Sequence, residues 1–457
     1  MKKSLFICLS FIQFATQFAC APSGSNPAPV GTTTSPQSVV TLNQLLQVTP
    51  QTQQTRLLPL SDDTTVAYCE VSLSSTDETI KNYSGFHDFA LYPLASVSKL
   101  FTEAWALDHL GADYKFEHEW RLLKNKDGTV DAYLNTNFDP IFNIEKVLYT
   151  ISQLQQRFGV NSIRNLYISA STRMYLSVLN NPHAELNIVP VSSEETLGNF
   201  KLIFNSASWG QQTQQAKINV QTYFSSQGQS FSLPASFSLQ NVALDTDGSI
   251  AKQFQSATVF KIESVSLFRY IKNINVNSNN YLADALFSLL GGEAEFLKFE
   301  KEKLGLDESS LIMKTGSGLS MQANGQRVDN KATCSAVLKL LHFFKLNAQK
   351  NNLDLGDLLI TAGQDPDSTY ETKLTFNKSV VLKTGRLYDV EALNLAGIAS
   401  TGQGLMAFTF LGHDFGINDE VLMQGKRDQL LQSLLTYYIE QPFFSTLSQN
   451  EIFFVPN

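Results

Sequence analysis

The sequence predicts an α+β fold, an antiparallel sheet with helices packed on it, carrying a mostly β insertion. Two observations predict the main body. Strand-like runs stand near both ends of the folding part of the chain, and apolar helical patterns fill much of what lies between. A third predicts the insertion: residues 117–258 change to short alternating runs with Asn- and Gln-rich turns.

The order begins with a leader. Lys2 and Lys3 precede a mostly apolar run over residues 5–19, too short to cross a bilayer, so residues 1–20 read as an export signal. Cys20 follows Phe18-Ala19, which resembles a bacterial lipoprotein cleavage box and implies a lipid anchor at Cys20. Cleavage after Ala19-Cys20-Ala21 is the alternative. Residues 21–40 are rich in Pro, Ser, Thr and Gly and read as a flexible linker. The expected location is periplasmic, exported, held at the membrane as a lipoprotein. Residues 41–116 and 259–457 are expected to form one domain around the insertion.

Residues 65–73 alternate as a half-buried strand, with Ala67, Cys69, Val71 and Leu73 on one side. The segment SVSKLFTEAWALDHL, residues 96–110, is apolar nearly all round, which predicts a buried helix stopped by Gly111. Within the insertion a helix is predicted over 144–158, and strands over 217–224 and 230–239. A further helix begins at Ser278, placed as its cap, and ends by Gly291; another covers 332–344. Strands at 379–383, 392–399 and 405–411, then a closing helix at 424–438, complete the order.

Composition narrows the function. The 457 residues carry 34 Lys and Arg against 42 Asp and Glu, a net charge of −8, and −10 once Lys2 and Lys3 leave with the signal. An acidic chain without a basic run is a poor nucleic-acid binder. The six His show no ligand spacing and no metal or other cofactor is expected. There is no G-x-S-x-G elbow, and Gly402–Ala407 precedes a strand pattern rather than a helix, which excludes a dinucleotide loop. Cys8 leaves with the signal. For Cys69 and Cys334, a disulfide and two buried thiols both stay open.

Three short signals carry chemistry: Ser96-Val97-Ser98-Lys99, Ser278-Asn279-Asn280 and Lys383-Thr384-Gly385. Singly each is weak, because a chain of this length holds about one or two S-x-x-K by chance. Ser249-Ile250-Ala251-Lys252, Ser448-Gln449-Asn450 and Lys314-Thr315-Gly316 are spare copies. Context separates them. Ser96 and Lys99 are three apart at the start of a buried helix, so they share a face. The helix start offers N–H groups to a developing oxyanion, and a desolvated Lys beside a second cation can act as a base towards Ser. Ser249 follows an Asp-Gly turn signal and is expected in solvent, whereas Lys383 ends an apolar strand.

With these motifs quoted, a resemblance follows. LASVSKLFTEAWALDHLGADYKF (residues 94–116) resembles the P-A-S-x-x-K…A-L-x-x-L-G-x-D-Y-x-F signature of the D-alanyl-D-alanine carboxypeptidase/endopeptidase family of low-molecular-mass penicillin-binding proteins, of the penicillin-binding protein 4 type. SNNYLAD (278–284) is similar to its S-N-N-x-x-A-D/E, and GSGLS (316–320) to its D-G-S-G-L-S loop. KTGRLYDVEALNLAG (383–397) looks like its K-T-G strand and return. The resemblance implies a penicillin-binding/β-lactamase-like domain that cleaves D-alanyl bonds of peptidoglycan stem peptides through an acyl-enzyme and is acylated by β-lactam antibiotics. It assigns catalysis to Ser96, Lys99, Ser278, Asn280 and Lys383, and substrate binding to Thr384, Gly385 and Arg386.

Three positions depart from the family pattern. Asn135–Pro140 stands where G-G-G-D-P is usual, Thr315 replaces an Asp, and Arg386 replaces a small hydroxyl residue. The alternatives are a β-lactamase, or a non-catalytic cell-wall-binding lipoprotein of the same fold.

Overall fold

The computed structural model describes residues 57–73, 83–172, 193–365, 368–416 and 419–445. The leader, Cys20, the linker and the spare Ser448-Gln449-Asn450 lie outside the described residues.

The described chain opens with β1 (Val66–Ser72) and β2 (Ser84–Phe86). A single 3-10 turn, Ala95–Ser98, runs into α1 (Lys99–Leu110), in which every residue from Lys99 to Leu107 is buried. Gly111 stops α1 at φ 86°, a conformation that side chains disfavour. Next come β3 (Glu117–Lys124), β4 (Val130–Asn135), α2 (Ile144–Phe158), β5 (Ser162–Ser169), α3 (Ser193–Ile203), α4 (Gln211–Ser226), β6 (Ser238–Asp245) and β7 (Thr258–Glu263). Helices α5 (Leu267–Asn277), α6 (Asn280–Leu289), α7 (Gly292–Phe299) and α8 (Cys334–Lys350) follow. The chain returns through β8 (Ile360–Thr361), β9 (Val380–Leu387), β10 (Ala392–Thr401) and β11 (Gly404–Gly412) to α9 (Glu420–Tyr438).

The main sheet has the order β8-β9-β10-β11-β1-β2, antiparallel throughout, so strands from both ends of the sequence meet where β1 pairs with β11. Both faces are covered. Ala67, Cys69 and Val71 of β1 join Leu100, Phe101, Leu282 and Leu341 in one core. Val66 and Tyr68 face the other core, with Leu430, Leu434 and Leu435 of α9. β1 is thus buried on both sides, not half-buried as its alternation suggested. The tolerance for Glu70 on the α9 face comes from Tyr68 and Tyr438, whose hydroxyls donate to its carboxylate at 2.7 and 3.1 Å. Cys69 and Cys334 are joined by a disulfide, tying β1 to the first residue of α8.

The segment expected to be mostly β has more residues in helices than in strands. Its sheet, β6-β5-β4-β3-β7, pairs β4 with β5 and β5 with β6 in parallel. Parallel neighbours need long crossovers, which helices supply: α2 links β4 to β5, while α3 and α4 lie between β5 and β6. Residues 217–224 are helix, not strand. Their alternating look hides the spacing of Thr213, Ala216, Val220 and Phe224, the buried face of α4. Of the strand expected at 230–239, only the last two residues belong to β6. Lys146 of α2 and Asp139 are fully buried and bonded at 2.5 Å, with His118 on the same carboxylate oxygen and Tyr270 of α5 donating to the other at 2.9 Å. This cluster anchors the smaller sheet's helix to the helical layer beside α1.

Candidate active site

The 3-10 turn at Ala95–Ser98 sets the site. Ala95 sits at φ 49°, a left-handed conformation uncommon for a residue with a side chain. The turn brings Ser96 half-buried to the mouth of a cleft and leaves Lys99 fully buried as the first residue of α1. Lys99 Nζ donates to Ser96 Oγ at 2.8 Å, to Asn280 Oδ1 at 2.6 Å and to the Ser317 carbonyl at 2.8 Å. All three hydrogens of an ammonium, or two hydrogens and the lone pair of an amine, are thereby placed.

Ser278 was expected to cap α6, and it does not. Asn279 takes the cap, its Oδ1 accepting from Leu282 N at 3.0 Å. Ser278 instead ends α5 at φ 54°, and this left-handed residue turns the chain so that Ser278 and Asn280 both line the cleft. Ser278 makes no hydrogen bond to Ser96 or Lys99 among those of the described residues.

Electrostatics favour a neutral Lys99. Burial, and then the Lys383 ammonium, hold its pKa well below the usual lysine value, against the opposing pull of Asp284 and Glu103. Lys99 has no carboxylate within ion-pair distance among the described residues. Lys383, also fully buried, is brought down to about 7 by burial, partly offset by Glu103. Its Nζ donates to the Thr384 carbonyl at 3.1 Å. Glu103, one turn beyond Lys99, is pushed up to about 8 by burial, with Asn275 donating to it at 2.7 Å.

β9 forms the opposite wall of a cleft of about 670 Å³ lined by Ser96, Ser278, Asn280, Thr384, Gly385 and Arg386. Gly385 is there because nothing larger fits: a Cβ on it would lie 2.7 Å from the Leu94 carbonyl and 3.0 Å from Val97 N. That close approach presses the Lys383-Thr384-Gly385 strand against the Ser96 turn. Thr384 Oγ1 is 2.6 Å from Thr369 Oγ1. Arg386 stacks over Tyr388, 3.8 Å from the ring centroid, and pairs with Glu420.

The spare motifs fall elsewhere. Lys314 pairs with Glu293 and is partly exposed, while Ser249 and Lys252 are exposed. Sequence reasoning missed four participants. Ser317 supplies the third acceptor for Lys99, and Gly318, at φ 85°, packs on the Ala95 carbonyl where any Cβ would clash. Asp284 holds Ser317 N at 2.8 Å, and Glu103 sits below both lysines. The first three lie inside the quoted GSGLS and SNNYLAD stretches, which signalled them. Glu103 lies in the quoted stretch 94–116, at a position that the family signature leaves unspecified.

A profile of the D-Ala-D-Ala carboxypeptidase 3 (S13) family matches residues 65–178 and 210–435. The chain belongs to the S13 family. Among solved structures, the Bd0816 predatory endopeptidase of Bdellovibrio bacteriovorus, in complex with immunity protein Bd3460, shares 24% identity and a TM-score of 0.74, covering 85% of this chain and 98% of that one. The penicillin G-acylated Bd3459 endopeptidase of the same organism shares 22% identity over 84% of this chain and 95% of its own, with a TM-score of 0.69. Penicillin-binding protein 4 of Haemophilus influenzae shares 16% over 82% and 99%, with a TM-score of 0.53. No curated protein matches by sequence. The S13 fold thus embraces both cores described above, and its matched segments include the Ser96 turn, Asn280, the loop at Ser317 and β9.

Proposed function

We propose that the protein is a serine DD-carboxypeptidase/DD-endopeptidase that hydrolyses D-alanyl peptide bonds of peptidoglycan, and that β-lactams acylate the same serine. The observation that carries this reading is the hydrogen bond from a desolvated Lys99, without a carboxylate partner among the described residues, to the half-buried Ser96 Oγ. Neutral Lys99 takes the Ser96 proton as Oγ attacks the carbonyl of the penultimate D-Ala. Asn280 and the Ser317 carbonyl hold the amine in line. The backbone N–H groups of Ser96 and Arg386 receive the oxyanion. Ser278, on the cleft wall, relays a proton to the leaving amine, and the buried Lys383 cation opposes protonation of Lys99. Thr384, Gly385 and Arg386 form the edge to which the peptide adds. Water then hydrolyses the acyl-enzyme.

The apolar leader, Cys20 and the Pro/Ser-rich linker support export and anchoring through Cys20; intact-mass analysis of native protein should find a diacylglyceryl cysteine as the first residue. Activity is tested by incubating the protein and Ser96→Ala with defined muropeptides and weighing the products. Loss of D-Ala or cleavage of the cross-link by the wild type alone is expected, and equal products from both would refute the assignment.

A further inference from the structure

The cleft holds two side-chain cations, and both are already engaged. Arg386 pairs with Glu420 at the first turn of α9 and is braced by the Tyr388 ring. The other Glu420 oxygen accepts from Gln424 at 3.2 Å, so the carboxylate is held on both sides. Arg427 is buried, pairs with Asp428 at 2.7 Å and donates to the Glu371 carbonyl at 2.6 Å. Lys383 has no exposed surface. Glu371 is exposed on the same wall, with no ion-pair partner among the described residues.

A peptide ending in D-Ala-D-Ala brings a carboxylate that is fully ionised at neutral pH, and in a cleft such a group is recognised best by a guanidinium. Here it must displace Glu420 from Arg386. A leaving residue whose carboxyl is amidated, or extended into further peptide, makes no such demand.

We propose that Glu420 is a specificity-determining residue, which masks Arg386 and turns the cleft towards D-alanyl bonds whose leaving residue lacks a free carboxylate. This rests on the reading of Ser96 as a nucleophile acylated by D-alanyl peptides. It names the substrate class of that site as blocked or extended D-alanyl peptides. The mask is partial, since Arg386 and Glu420 are partly exposed and such pairs are weak.

The test compares two N-acyl peptides, identical but for a D-Ala-D-Ala carboxylate or carboxamide end, by kcat/KM. Wild-type protein is expected to cut both within about tenfold. Glu420→Gln, which keeps size and the contact with Gln424, should raise the acid-to-amide ratio by about fivefold, the order of a partly exposed ion pair. Adding Arg386→Gln should erase that gain, which a merely structural role for Glu420 would not predict. An unchanged ratio in Glu420→Gln, or a wild type preferring the free acid by a hundredfold, overturns the masking alone. Wild-type protein that cleaves neither peptide overturns the peptidase reading, and the masking with it.

Discussion

Two buried lysines share one small volume behind Ser96, and the charge of Lys99 depends on that of Lys383. Lys99 must be neutral to accept the serine proton. Acylation should therefore fall as pH drops through its lowered pKa. Lys383 loses its own proton as pH rises through about 7, which should give an alkaline limb in the rate of penicillin acylation. In Lys383→Ala the like charge is gone, so the Lys99 pKa rises and the acid limb moves to higher pH, while the alkaline limb disappears. The rate itself should drop by roughly two orders of magnitude, as loss of an electrostatic stabiliser does. Lys314→Ala, cut off from the site by its pairing with Glu293, should acylate at the wild-type rate. An acid limb that stays in place in Lys383→Ala would show that the two lysines are not coupled.

At the scale of elements, the site depends on backbone contacts that only glycine permits. Gly385→Ala would drive its Cβ into the Leu94 carbonyl and Val97 N, forcing β9 off the Ser96 turn. Acylation should fall at least a hundredfold while the melting temperature changes little, because β9 is otherwise held by its full pairing with β10. Comparable loss of stability and acylation would place the effect in folding instead. Such elements were legible where side-chain period and burial agree: α1, α8, α9 and the strands β9 to β11 stand close to where apolar pattern and Gly breaks put them. The segment 117–258 was misread, because Lys217-Ile218-Asn219-Val220 alternates like a strand while its buried contacts follow a helical period. Parallel pairing in β4 to β6 is a long-range property that no local window contains. Ser278 shows the same limit at the site, since its place in the cleft comes from a left-handed turn and not from the cap its residue type suggested.

Among the described residues, links between distant parts of the chain hold the cores together. The Cys69–Cys334 disulfide spans 265 positions and joins β1 to α8. Its removal as Cys69→Ser/Cys334→Ser should cost about 2–5 kcal/mol, read as a lower denaturation midpoint; no shift would mean that the thiols are free in the folded protein. Asp139 neutralises the buried Lys146 and also binds His118 and Tyr270. Asp139→Ala, which leaves the buried Lys146 without its carboxylate and only the Tyr270 hydroxyl to bond, should destabilise by about 3–5 kcal/mol in the same assay.

The claim on which all of this turns is that Ser96 is the residue acylated. Peptide mapping of the protein after reaction with penicillin G measures it directly. A single penicilloyl adduct should appear on the peptide that contains Ser96, and none on Ser96→Ala protein of wild-type melting temperature. An adduct at Ser278, Ser317 or any other residue, or equal labelling of Ser96→Ala, would contradict the account.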